Sequence, residues 1–189
     1  MAFRTGNKMS GWKIRTMNND QFFILVLICM ITHIVRAVYE ILKHKQLLKP
    51  GKLSFVIIFT NMAILWMSWF ALCSQDIYRI HYAGVYHYLG LLLAIMGALA
   101  FFTALFTIKT LESYDGDLIT KGIYSKIRHP MYLGFICWLI GFPIIFGALF
   151  SFFLSLLFIA NVLFWRSLEE IELGKRFPSY SEYKKTTLF

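Results

Sequence analysis

Long apolar runs separated by short basic links set the pattern of this chain. One run extends from about Gln21 to Leu42, a second from Leu53 to Cys73, and a third from about Val85 to Ile108. Each is close to the roughly 20 residues that a membrane-crossing helix needs. A fourth run starts near Met131 and a fifth ends near Leu168, and nothing from Met131 to Trp165 is charged. That stretch is long enough for two crossings and too long for one tilted helix. Gly141, Pro143 and Gly147 punctuate it, which predicts a tight helical hairpin turning near Phe146 to Ser151. The pattern therefore predicts an all-α integral membrane protein with about five transmembrane helices. It reads as a single membrane domain over 1–189, with three helices in 21–108 and the remaining two, with a polar tail, in 109–189.

Composition agrees. Apolar residues make up 58% of the chain and charged residues 15%, and the mean hydropathy is +0.62. That leaves too little polar residue to cover a soluble surface. The net charge of +9 argues for lipid headgroups and against nucleic acid, because the basic residues sit in the links. Lys43, Lys45, Lys49 and Lys52 lie in the first link, and Lys109, Lys121, Lys126 and Arg128 in the link before the hairpin. The tail carries Arg166, Lys175, Arg176, Lys184 and Lys185. Five crossings place all three groups on one side, expected to be cytosolic. The opposite side then has Arg79 and the N-terminal Arg4, Lys8, Lys13 and Arg15, a conflict that a start at Met17 would remove. No small-residue cleavage site precedes the first run, so it is expected to be retained, and the final TTLF is no prenylation signal. Cys29, Cys73 and Cys137 fall in apolar runs without metal-type spacing and read as small buried hydrophobes. Gly90, Ala94 and Ala98, with Gly97 beside them, predict close helix packing. In the tail, a helix is expected to leave the membrane and to be broken by Gly174 and Pro178.

Candidate chemistry concentrates at GIYSKIRHPMYLG, residues 122–134. Ionisable groups at the mouth of a membrane helix cost free energy unless they have a partner or a task. The hairpin returns the chain to the level of His129, so the tail acids Glu169, Glu170 and Glu172 can reach Arg128, His129 and Pro130. These residues suit either a salt-bridge cluster at headgroup level or a binding site. His129 has no second His or Cys nearby to make a metal set. There is no GxGxxG, no P-loop and no Ser/His/Asp arrangement.

The same segment, followed by an apolar hairpin and then EEIELGKRF with later tyrosines, resembles the isoprenylcysteine carboxyl methyltransferase family over roughly residues 115–185. That family has G-x-Y-x-x-x-R-H-P-x-Y-x-G and a later E-E-x-x-L-x-x-x-F. Phospholipid N-methyltransferases, thiol S-methyltransferases and some sterol-type NADPH reductases carry similar segments. The resemblance implies an S-adenosyl-L-methionine pocket at the cytosolic end of the last two helices. Its cofactor contacts would come from Leu118 and Ile119, from Tyr124, from His129, Pro130, Met131 and Tyr132, and from the acidic pair Glu169 and Glu170. Glu169 is the expected ligand, with Glu172 left to solvent or to a lysine.

The resemblance also implies carboxyl methylation of a prenylcysteine-like or other amphiphilic acceptor, whose lipid tail stays among the helices. Arg166 is expected to orient the acceptor carboxylate, with Arg128 as the competing catalytic candidate. Three positions depart from the family pattern. Gly116 stands where the family has His, FPSY replaces F-G-x-E-Y, and Trp165 occupies the place of an Arg four residues before the first Glu.

Overall fold

Proline and glycine set several of the helix bounds. The structure, a computed structural model, describes residues 19–48, 51–81, 84–108 and 117–189. The conflicting N-terminal basic residues, Met17 and Gly116 lie outside these. Helix α1 spans Asn19–His44, α2 Lys52–Ser74 and α3 Gly84–Ile108. A one-turn 3-10 helix at Gly122–Ser125 precedes α4, Pro130–Phe146, then α5, Leu149–Arg176, and α6, Tyr180–Thr186. Pro130 sits at the start of α4, where its missing N–H is no loss. Among the described residues there is no strand, only two isolated bridges.

The hairpin turns where the punctuation predicts. Gly147 ends α4 in the left-handed conformation, φ 63° and ψ 28°, which a glycine adopts without a Cβ clash. Gly141 and Pro143 do not interrupt α4. Four helices, α1, α2, α3 and α5, are long and apolar enough to cross a membrane, while α4 has 17 residues. At 1.5 Å per residue that is about 25 Å, a little short of a typical bilayer core. Helix α4 sits among the longer helices. It lies against α3 at two glycine pairs, Gly97 with Gly134 and Gly90 with Gly141. A Cβ on Gly134 would stand 2.7 Å from the Gly97 carbonyl oxygen, and one on Gly90 2.8 Å from that of Gly141. The small-residue stripe therefore packs as expected, with Gly97 rather than Ala98 at the closest approach. Between the pairs, Trp138 Nε1 donates to the Ala94 carbonyl at 3.0 Å.

Phe22, Trp69, Leu72, Leu139, Phe158 and Trp165 form the buried core. Many Leu, Ile and Phe side chains of α1–α3 remain exposed, as a lipid-facing surface requires. Polar side chains join helices within the apolar interior. Asn61 donates to the Thr32 carbonyl, and Asn161 to that of His33. The imidazole of His33 stacks on Phe158 with centroids 3.8 Å apart. Cys29 and Cys73 are buried, Cys137 is half-buried, and all three are free.

At the end of the bundle that holds the Gly147 turn, buried Asp76 stitches the loop after α2 onto α5. Its Oδ2 accepts from the Ser151 amide at 2.7 Å and hydroxyl at 2.8 Å, and its Oδ1 from the Tyr78 amide at 2.8 Å. Asp76→Ala strands these donors and removes the charge beside the α5 N-terminus. The expected cost is about 1–3 kcal/mol, measurable as a lower midpoint of thermal unfolding in detergent.

Helix α5 runs past the expected break. Gly174 stays helical, and the helix stops at Phe177. Pro178 disfavours helical geometry for the residue before it, so proline alone ends α5. Helix α6 then folds back on the motif.

Candidate functional site

Hairpin geometry assembles the site. The 20 or so residues from Leu149 to Glu169 rise about 30 Å, close to the span of α4 in the opposite direction. Glu169 thus arrives at the level of His129. The buried His129 ring lies between the two acids, Nδ1 3.6 Å from Glu169 Oε2 and Nε2 3.4 Å from Glu170 Oε1. The Tyr180 hydroxyl approaches Nε2 at 3.5 Å. The imidazole is therefore fixed from both sides, with its Nδ1 edge on Glu169.

Glu169 faces a cavity of about 280 Å³, near the lower end of small-molecule sites. Its polar end is lined by Tyr124, Arg128, His129, Tyr132 and Glu169, with Pro130 and Met131 beside them. The apolar end is lined by Ile58, Phe59, Met62 and Trp66 of α2, by Phe101 of α3 and by Phe135 of α4. Burial, and then the nearby Glu169 charge, hold the Tyr124 phenol above its ordinary pKa, so it enters the site as a neutral hydroxyl. Glu172 lies outside the cavity, 4.0 Å from Lys43 Nζ.

Several expected residues stand elsewhere. Leu118 and Ile119 are half-buried in the link before the 3-10 turn and do not line the cavity. Glu170 faces the tail instead, pairing with Lys184 at 2.6 Å and with Arg128 at 3.4 Å. Arg166 also stands outside. Its guanidinium lies 4.6 Å from the Phe189 ring centroid, and its Nε 4.0 Å from Glu170. Arg128 borders the cavity, but its Nη1 donates to the carbonyls of Thr187 (2.5 Å) and Lys184 (3.0 Å) and to the Thr187 hydroxyl. Its amide donates to the Leu188 carbonyl, and Leu188 donates back to Lys126. Tyr183 donates to the Tyr124 carbonyl at 2.5 Å. The C-terminal tail is thereby pinned over the motif. Arg128→Ala should release it, seen as faster limited proteolysis after Phe177 while the transmembrane helices stay protected.

A whole wall escaped the sequence reading. Helix α1 contributes Arg36, Tyr39, Glu40 and Lys43 to the cavity. Arg36 Nη2 and Glu40 Oε1 are 2.5 Å apart, both largely buried. The guanidinium carbon lies 5.5 Å from the Tyr39 ring centroid and 5.5 Å from that of Trp165. The available signal was an Arg and a Glu four residues apart inside an apolar helix, one face of a turn.

Residues 85–179, half of the chain, match the family described as phospholipid methyltransferase. The chain is similar to protein-S-isoprenylcysteine O-methyltransferase of Schizosaccharomyces pombe, 36% identical over 78 residues. That alignment covers 38% of this chain and 31% of the relative, so the chain spans about a third of the relative's length. No solved structure matches the chain. The family match covers α3 to the start of the tail and contains the cavity's Tyr124, His129, Tyr132 and Glu169. The α1 wall lies outside it.

Proposed function

Because this chain belongs to the phospholipid methyltransferase family of membrane methyltransferases, we propose that it uses S-adenosylmethionine to esterify the carboxylate of a prenylcysteine-like or similar amphiphilic acceptor. The observation that carries the reading is one cavity with two chemistries. Its lining combines His129, Tyr132 and Glu169 with aromatic and aliphatic side chains of α2, α3 and α4. A lipid-linked head needs both. The relative from Schizosaccharomyces pombe, named for isoprenylcysteine O-methylation, supports the choice of a carboxylate.

The donor set fits the cofactor. A carboxylate such as Glu169 suits an ammonium group or ribose hydroxyls, and the neutral faces of Tyr124 and Tyr132 suit a sulfonium or an adenine ring. When bound, S-adenosylmethionine supplies an electrophilic methyl group on a positively charged sulfur. The protein's part is to bind, orient and dry the site. His129 holds Glu169 in place from one side, and Phe135, Trp66 and Phe101 exclude water from the acceptor end. A carboxylate is already ionised at neutral pH, so no side chain has to take a proton. Alignment and desolvation are then the main contributions. Lys43, Arg128 and Lys184 stand near the acids of α5 at the His129 end of the bundle, and by the positive-inside rule this end would face the cytosol.

The test is transfer of a labelled methyl group from S-adenosylmethionine to a panel of a prenylcysteine, a phospholipid amine and a lipophilic thiol. The reading predicts a base-labile methyl ester on the prenylcysteine. Label on the amine or the thiol alone overturns the carboxyl assignment.

A further inference from the structure

Three guanidinium groups lie near the candidate site, and their surroundings differ. Arg128 is taken up by the carbonyls of the tail, and Arg166 is outside the cavity against Phe189 and Glu170. Arg36 alone of the three lines the cavity without being tied to the tail. We propose that Arg36, reaching in from α1, is the acceptor-anchoring residue that holds the anionic head of the substrate. This rests on the methyltransferase reading above and assigns to α1 the task that the sequence had suggested for Arg166.

Three observations support it. The guanidinium is held in one place, 5.5 Å from the ring centroids of both Tyr39 and Trp165 and paired to Glu40. Cation–π contact and a short ion pair together fix a side chain that otherwise has many rotamers. Its hydrogen-bonding capacity is not used up. Glu40 Oε1 pairs with Nη2, while the buried Nε–H has no hydrogen-bond partner. Arginine carries five N–H donors in a planar fork that matches a carboxylate or a phosphate. The Nε–H groups of Arg128 and Arg166 also lack a hydrogen bond, but both stand within 4.0 Å of Glu170.

The position is also right for an amphiphile. Arg36 shares the cavity with Glu169 and His129 on one side and with the apolar walls of α2 on the other. An anion on Arg36 leaves its lipid tail against Ile58, Phe59 and Met62. Trp165 is part of the arrangement, because its buried ring lies against the guanidinium. A shared anion chemistry covers two acceptor types, a free carboxylate and a lipid phosphate.

The experiment measures methyl transfer and S-adenosylmethionine binding separately in Arg36→Lys, in the charge-neutral double variant Arg36→Met with Glu40→Gln, and in Arg166→Ala. The double variant removes both partners, so no lone buried carboxylate is left to unfold the protein. Lysine keeps the charge and loses the fork. The two Arg36 variants are expected to lose about tenfold or more in kcat/KM for the acceptor, with cofactor affinity and the unfolding midpoint unchanged. Arg166→Ala should leave both activities near wild type. A second readout is competition by an uncharged amide analogue of the acceptor. It should bind wild type as weakly as the charged acceptor binds the double variant. Undiminished kcat/KM in the double variant, or the loss appearing in Arg166→Ala instead, overturns the proposal. Label on a phospholipid amine alone defeats the carboxyl reading but not this one, provided that the same variants lose that acceptor. Equal use of a thiol acceptor that carries no anionic group overturns the anchor itself.

Discussion

Glu169→Gln is expected to weaken S-adenosylmethionine binding by about 1–3 kcal/mol, the scale for loss of a charged hydrogen bond, while Glu172→Gln leaves it unchanged. The two acids are three residues apart on α5 and look alike in sequence. Their surroundings separate them. Glu169 lines the cavity and lies 3.6 Å from His129 Nδ1. Glu172 does not line the cavity and lies 4.0 Å from Lys43. The amide keeps the shape of Glu169 and removes its charge, so a loss of affinity without a loss of stability isolates the electrostatic contribution. Equilibrium dialysis of both variants in detergent checks this, and equal losses would remove Glu169 from the cofactor site.

Gly134→Leu should have the largest structural effect. A side chain there meets backbone, with the Gly97 carbonyl oxygen 2.7 Å and the Phe101 amide 3.3 Å from the first carbon. Backbone cannot swing aside as a side chain can, so α3 and α4 must separate. Overpacking of this kind costs about 1–3 kcal/mol and occasionally more. Because α4 carries His129 to Tyr132 at its first turn, cofactor binding should fall along with stability. Gly84→Ala is the control, since open space surrounds that position. Comparison of unfolding midpoints for the two variants measures the difference.

How much of this was legible in the sequence depends on what kind of contact does the work. Helix positions came from the lengths of apolar runs, and the hairpin turn from Gly147, whose left-handed backbone is a property of one residue. The meeting of His129 with Glu169 followed from chain length alone, since an up-and-down pair must return to its starting level. The α1 wall was hidden because Arg36 and Glu40 stand near the end of a long apolar run, and nothing local to that run says that their side of the helix meets a cavity. Only packing against α2 and α5 decides which side is which. The role of Arg128 was hidden for a different reason. Its partners are mainly backbone carbonyls of α6 and the residues after it, and a carbonyl leaves no mark in the sequence. Gly174 misled because helix propensity is a weak local preference, and the helix carries through it to Arg176.

The proposed binding site for S-adenosylmethionine is the cavity lined by α1, α2, α3, α4 and Glu169 of α5. The most direct measurement is a titration of the purified protein in detergent with S-adenosylmethionine and, in parallel, with NADPH, followed by calorimetry. Saturable binding of S-adenosylmethionine at one site per chain, with no heat from NADPH, is the expected result. Saturable binding of NADPH with none of S-adenosylmethionine would contradict it.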